Sequence, residues 1–77
     1  MTRTEILDAM CEAAMLPTGS IEGNETLTAI EGWDSLAGVD FQRIVAERWD
    51  IEMDGMRVSE ARSVVDMVNL LGGAVTA

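Results

Sequence analysis

The side chain best placed for chemistry is a serine hydroxyl in the segment Gly32-Trp33-Asp34-Ser35-Leu36. A serine at the start of a helix usually caps it, because its oxygen accepts a hydrogen bond from a free backbone N–H. Here Asp34 already offers a cap one residue earlier, where the helix dipole also favours a carboxylate. Ser35 also follows a long loop that contains glycine, which can leave its hydroxyl exposed at one end of the molecule. These features weaken the interpretation of Ser35 as a capping residue.

Most other kinds of catalytic or metal site are excluded by the residues that the sequence lacks. It contains no histidine and a single cysteine, so tetrahedral zinc sites and Ser-His or Cys-His catalysis are ruled out. A glycine-rich phosphate loop of the GxxxxGK type is also missing. Cys11 lies beside Met10, Ala13 and Ala14 on the flank of an apolar helix face, which predicts a buried structural thiol.

A calcium-binding loop is the alternative that comes from a different class of site. Residues 50–55 resemble the opening of the pattern D-x-[DN]-x-[DN]-G-x5-E, whose alternating oxygen atoms bind Ca²⁺. The third position is Glu52, and the eighth, normally apolar, is Arg57. The twelfth position, which should supply a bidentate carboxylate, is Ala61, and Glu60 falls one residue short. The sequence therefore predicts no metal site.

The first helix that supports this arrangement is predicted over residues 2–16. Thr2 and Glu5 fit a capping box, T-x-x-E, in which each side chain accepts a backbone N–H. Apolar residues then follow at helical spacing. Pro17 and Gly19 are expected to stop the helix.

The rest of the chain is predicted to form two connections and three further helical segments. In order, these are a long connection over 17–33, a helix over 35–49, a connection over 50–56, a short helical turn over 58–61 and a last helix over 64–71. Leu27 and Ile30 are expected to pin the long connection to the core. Ser63 and Asp66 repeat the capping-box pattern before the last helix. The predicted fold class is therefore all-α: a small four-helix bundle of three main helices plus one short helix.

Length and composition indicate one small acidic domain over residues 1–77. The hydrophobic fraction of 48% is ample for a packed core and argues against disorder. Fourteen acidic residues against five basic ones give a net charge of −9, which repels nucleic acid and anionic membrane surfaces and suits basic patches on partner proteins. No apolar run is long enough to span a membrane. We expect a monomer located in the cytoplasm.

The serine segment and the residues after it resemble the acyl carrier protein family, whose free-standing members use phosphopantetheine. Residues 34–36 (DSL) are similar to the D-S-L motif in which the family's serine is esterified. Phe41 and Val45 then fall at apolar core positions. Residues 49–53 (WDIEM) resemble the family's F-D-x-E-I stretch, and residues 64–71 resemble its final helix. The first helix agrees by length and pattern only.

The resemblance implies a covalent shuttle rather than an enzyme. Ser35, flanked by Asp34 and Leu36 of the motif, would carry a 4′-phosphopantetheine arm donated by coenzyme A through a separate phosphopantetheinyl transferase. The terminal thiol of that arm would hold an acyl or aminoacyl group as a thioester. Loading enzymes and synthase or modifying enzymes would then perform the chemistry. This implication agrees with an acidic domain that has no catalytic groups of its own.

Departures from the family pattern bear on the pathway. Members that serve fatty-acid synthesis often place acidic residues directly after D-S-L and a methionine further along the helix. Here Ala37 and Gly38 follow the motif, and Arg43 stands near the methionine position. A glycine inside a helix costs about 1 kcal/mol relative to alanine, so close approach of a partner or the arm is one reason for Gly38, and drift at a tolerant site is another. The departures favour a carrier of a specialised fatty-acid or polyketide-type pathway.

Helix geometry singles out a candidate partner surface beside the serine. Leu36, Asp40, Arg43 and Glu47 fall within one narrow stripe of the predicted helix. The opposite side supplies the core through three apolar residues, Phe41, Ile44 and Val45. Leu36 is then an apolar residue on a polar face, so we expect it to insert into an apolar pocket of the transferase and later enzymes. The charges of Asp40 and Glu47 would steer the encounter.

Two other functions stay open on the sequence alone. One is a free-standing peptidyl or aminoacyl carrier of a nonribosomal pathway: peptidyl carriers more often have H-S-L, but free-standing aminoacyl carriers can also show D-S-L. The other is an unmodified interaction module of carrier shape, in which Ser35 serves only as a helix cap.

Overall fold

The computed structural model describes residues 1–76, which contain four α-helices and two short 3₁₀ turns. The helices are α1 (Arg3–Ala13), α2 (Ser35–Trp49), α3 (Gly55–Glu60) and α4 (Val64–Leu70). The 3₁₀ turns are Leu27–Ala29 and Gly72–Ala74. Within the described residues there is no β-strand, only an isolated antiparallel bridge between Thr26 and Ser63. The predicted all-α bundle is confirmed.

Two helices begin at the capping boxes that the sequence predicts. Thr2 Oγ1 accepts a hydrogen bond from the Glu5 backbone N–H at 3.1 Å, and Glu5 Oε1 accepts one from the Thr2 N–H at 2.8 Å. Ser63 and Asp66 make the equivalent pair before α4, at 3.1 and 3.2 Å. In both capping boxes, side-chain oxygens accept hydrogen bonds from backbone N–H groups at the helix start that would otherwise lack partners.

The first helix ends at Ala13, so the predicted end at Leu16 is wrong. Met15 adopts a left-handed backbone conformation, with φ of 60°. The Met15 N–H donates to the Glu12 carbonyl and the Leu16 N–H donates to the Cys11 carbonyl, at 3.1 and 2.8 Å. This is the Schellman arrangement, usually built on glycine, and it closes the helix before the downstream proline and glycine can act.

The third helix begins earlier than the predicted turn over 58–61, and the connection predicted over 50–56 is correspondingly shorter. Asp54 is the reason for the difference. Its Oδ1 accepts a hydrogen bond from the Met56 N–H at 2.9 Å and caps the helix, which runs over Gly55–Glu60. Gly55 is therefore the first residue of a helix rather than a mark of the connection.

The core lies between α1 and α2 and is closed by α4. Its largest fully buried side chains are Phe41, Ile6, Met10, Met67, Val45 and Val64. Cys11 is buried among them, as the sequence predicts.

At the surface, the Arg48 guanidinium of α2 pairs with the Glu12 carboxylate of α1. No helix within residues 1–76 has the length and apolar character needed to cross a membrane.

Buried side chains and backbone hydrogen bonds hold the long connection between α1 and α2 in place. Leu27 and Ile30 are buried, which confirms that they pin it to the core. The Leu27 N–H donates to the Arg62 carbonyl at 2.9 Å, and the Val64 N–H donates to the Glu25 carbonyl at 3.0 Å. The connection therefore enters α2 from a defined position.

Candidate functional site

Ser35 is the first residue of α2, and its hydroxyl is not used to cap the helix. Asp34 takes that role, because its Oδ1 accepts the Ala37 N–H at 2.9 Å. The side chain of Ser35 is exposed, and no hydrogen bond to its hydroxyl occurs within residues 1–76. The arrangement leaves a free nucleophilic oxygen at the positive end of the helix dipole, where a negatively charged ester is favoured.

A glycine turn directs the chain into this position. Gly32 has φ of 82°, in the left-handed region that side chains disfavour. A Cβ on Gly32 would stand 2.6 Å from the Ala14 carbonyl oxygen, which is too close for any side chain. Gly32 therefore allows the connection to pack against the end of α1 and then turn towards Ser35.

Trp33 anchors the residues next to the serine. Its ring meets Phe41 edge to face, with ring centroids 6.1 Å apart and an interplanar angle of 62°. Such pairs add stability beyond the apolar area that they bury. Because Phe41 is fully buried, this contact ties the chain just before Ser35 to the core.

A groove of about 370 Å³ opens beside Ser35, between α2, α3 and the long connection. Its lining residues are Leu27, Thr28, Trp33, Asp34, Ser35, Gly38, Val39, Gln42, Gly55, Val58, Ser59 and Ala61. Sequence reasoning did not identify this groove. Helical spacing from Ser35 would have indicated that Gly38, Val39 and Gln42 lie on the same face of α2. The opposite side of the groove is formed by Val58, and its position depends on how α3 packs against α2.

The other side of Ser35 carries the stripe that helix geometry predicts. Leu36 is 74% exposed, and Asp40, Arg43 and Glu47 are exposed on the same face. The Arg43 guanidinium lies 2.5 Å from a Glu47 carboxylate oxygen and 3.8 Å from one of Asp40. The hydrogen bond to Glu47, followed by the charge of that carboxylate, raises the pKa of Arg43 above its ordinary value. Two carboxylates and one guanidinium leave the stripe with one net negative charge.

The acidic segment after α2 does not gather its oxygen atoms around one point. Asp54 uses Oδ1 to cap α3, and its Oδ2 lies 3.8 Å from the Arg57 guanidinium. Within residues 1–76, no group of three or more acidic, histidine or cysteine side chains is arranged to hold a metal ion.

The geometry at Ser35 fits the group that the resemblance implies. The resemblance implies that phosphopantetheine is attached through a serine oxygen. The exposed hydroxyl supplies the attachment point, and the groove beside it offers a surface without a side chain at Gly38. An added Cβ there would meet Val58 Cγ1 at 3.7 Å.

Comparison with known families identifies the kind of domain. A family model described as a phosphopantetheine attachment site matches residues 4–71 of this chain. Searches of curated proteins and of solved structures returned no match. The matched region contains α1 to α4 almost entirely, together with the D-S-L segment and the groove. In this family, 4′-phosphopantetheine is attached covalently to the domain. Because the match covers most of the 77 residues, this chain belongs to the phosphopantetheine-attachment family, in agreement with its resemblance to acyl carrier proteins.

Proposed function

We propose that this chain, acting as one carrier domain over residues 1–77, receives 4′-phosphopantetheine on Ser35 and carries acyl groups as thioesters between separate enzymes. The observation that carries this proposal is the free hydroxyl of Ser35 at the start of α2. Asp34 caps the helix through the Ala37 N–H at 2.9 Å, so Ser35 is not needed for capping.

The chain's own residues contribute position and charge rather than catalysis. Ser35 Oγ would form a bond to the pantetheine-bearing phosphorus of coenzyme A as the pyrophosphate P–O bond breaks, its proton passing to the transferase and adenosine 3′,5′-bisphosphate leaving. The dipole of α2 favours the negative charge of the resulting ester. Asp34 keeps its carboxylate directed to the Ala37 N–H, which limits its repulsion of that charge. When bound, the arm supplies the terminal thiol on which acyl groups form thioesters.

Partner enzymes would recognise the face of α2 next to Ser35. Leu36 is the exposed apolar residue that would enter a pocket of the transferase and of later enzymes. Asp40 and Glu47 would steer the encounter, with Arg43 between them reducing the attraction to a basic partner. This mixed charge supports a specialised fatty-acid or polyketide-type pathway. The proposal includes a cytoplasmic monomer that binds neither nucleic acid nor membrane.

Modification with coenzyme A and a phosphopantetheinyl transferase tests this function. Intact mass spectrometry should show the addition of one phosphopantetheinyl group to the wild-type chain and none to Ser35→Ala. Ser59→Ala is a matched control, since Ser59 also lines the groove but its hydroxyl donates to the Met56 carbonyl at 2.7 Å. The control should be modified like the wild type. A modified Ser35→Ala variant would overturn the assignment.

A further inference from the structure

Met15 is the most exposed large apolar side chain within residues 1–76, at 91%. It ends α1 in a left-handed backbone conformation, with φ of 60°, which costs free energy for a residue with a side chain and almost none for glycine. The closure uses backbone atoms only, because the Met15 N–H donates to the Glu12 carbonyl and the Leu16 N–H donates to the Cys11 carbonyl. A glycine at this position would make the same hydrogen bonds with less strain.

The Met15 side chain also contributes almost nothing to the core. Its neighbours along the chain do contribute, since Ala14 is buried and Leu16 packs against the buried cluster. Residues held in strained backbone conformations cluster at binding and active sites. A strained backbone that carries an exposed apolar side chain is therefore better explained by an interaction than by folding.

The end of α1 borders the α2 stripe that begins at Leu36. The Glu12 carboxylate pairs with the guanidinium of Arg48, which directly follows Glu47 of the stripe. The Glu12 carbonyl accepts the Met15 N–H at 3.1 Å, so Met15 lies directly beyond this pair. The exposed surface therefore continues from the stripe across the ion pair to Met15.

The stripe alone is too small for a stable contact with an enzyme. The 15 residues of α2 give a length of about 22 Å, and a helix is about 10 Å across, so one face offers on the order of 200 Å². A standard interface buries about 800 Å² on each partner. An enzyme that docks on the stripe must therefore also contact a neighbouring element, and the ion pair joins α1 to the stripe.

The charge near Met15 indicates what kind of surface would bind it. The Ala14 carbonyl oxygen lies 2.6 Å from the position of a Cβ on Gly32, so the exposed Glu31, which precedes Gly32, is close to Met15. The chain as a whole has a net charge of −9. An apolar side chain beside a carboxylate is complementary to an apolar pocket with a basic rim.

We propose that Met15 is a second apolar anchor for the phosphopantetheinyl transferase, which binds Leu36 and Met15 in two apolar pockets with basic rims. The inference rests on the proposed modification of Ser35 by that enzyme. It extends the docking surface from α2 onto the end of α1.

Transferase kinetics with a Met15→Gly variant test the proposal. The KM for the carrier should rise about fivefold or more while kcat stays unchanged, because an anchor contributes to binding and not to chemistry. The Tm of the apo protein should rise by several degrees, because glycine relieves the backbone strain. A side chain that served only folding would not give weaker binding together with higher stability.

Two further variants keep the backbone strain and change only the character of the side chain. Met15→Gln has a similar length but a polar end and should raise KM about as much as Met15→Gly. Met15→Leu keeps an apolar side chain and should have a KM at least about threefold below that of Met15→Gln. Val65→Gln makes the same type of change at another exposed apolar position, on α4, and should behave like the wild type.

The possible outcomes separate this proposal from the proposed function. A wild-type chain that gains no mass with transferase and coenzyme A overturns both. A chain that is modified, but with the same KM in wild type, Met15→Gly and Met15→Gln, overturns the Met15 anchor alone, as do equal KM values for Met15→Gln and Met15→Leu. A Tm of Met15→Gly below that of the wild type would show that the side chain serves folding and would also overturn the anchor.

Discussion

Replacing Leu36 by alanine should separate partner docking from folding. Leu36 is 74% exposed, so the substitution removes little contact with the rest of the protein. Full burial of a leucine side chain contributes about 1.5–3 kcal/mol, and only about a quarter of that side chain is covered here. The expected loss of unfolding free energy is therefore about 0.4–0.8 kcal/mol, part of which the better helix propensity of alanine offsets.

The decrease in Tm caused by Leu36→Ala should be small compared with the decrease caused by a core substitution. For a domain of this size, 1 kcal/mol corresponds to about 4–8 °C in Tm, so Leu36→Ala should lower Tm by no more than about 5 °C. Phe41→Ala, at a fully buried position, should cost about 3–5 kcal/mol and serves as the contrasting case. Differential scanning calorimetry on the apo proteins measures both changes.

The effect on modification should be much larger. If Leu36 is buried in an apolar pocket of the transferase, its truncation removes about 1.5–3 kcal/mol of binding, and modification should slow about tenfold or more. The assay follows intact mass against time at a transferase concentration low enough to give initial rates, with substrate below KM.

A second exposed apolar residue supplies the control for this prediction. Val65 of α4 is 49% exposed, does not line the groove and lies on a different helix from Ser35. Val65→Ala should be modified at the wild-type rate. An unchanged rate for Leu36→Ala would refute the docking role, and a Tm loss like that of Phe41→Ala would show that Leu36 belongs to the core.

Three further predictions follow from particular contacts. Gly32→Ala should lower the unfolding free energy by about 1–3 kcal/mol in denaturant titrations, because φ of 82° and the Ala14 carbonyl at 2.6 Å leave no room for a Cβ; unchanged stability would contradict the turn geometry. Backbone N–H groups of Glu22 and Gly23 hold the pKa of Glu25 below its ordinary 4.5, so its stabilising effect is complete above that value and is lost as pH falls through the lowered pKa. The Tm difference between wild type and Glu25→Gln should therefore narrow as the pH is lowered from neutral to about pH 3. A Tm difference that stays constant would contradict the stabilising role of the Glu25 carboxylate. Calorimetry with calcium at physiological salt should detect no site in residues 50–61 tighter than about millimolar, whereas a micromolar site would restore the calcium-loop alternative.

Sequence reasoning succeeded where the determinants are local. The bounds of α2 follow from the cap at Asp34 and from apolar residues at helical spacing, and the structure places the helix over the predicted residues. The exposure of Leu36 follows from the same periodicity. Both depend only on residues within a few turns of one helix.

It failed where a residue departs from its usual preference or where two elements must meet. Met15 takes a left-handed conformation that is usually reserved for glycine, so the end of α1 could not be read from residue type. The groove beside Ser35 needs Val58 of α3 opposite Gly38 of α2, and this pairing depends on tertiary packing rather than on any local pattern.

The central claim is that Ser35 carries the prosthetic group, and locating the modified residue tests it most directly. The wild-type chain is modified with coenzyme A and transferase, digested, and its peptides are fragmented by tandem mass spectrometry. The expected result is one phosphopantetheinyl group, found on Ser35 alone. A group on Ser59 or Ser63, or a chain that stays unmodified under conditions that modify a known carrier, would contradict the claim.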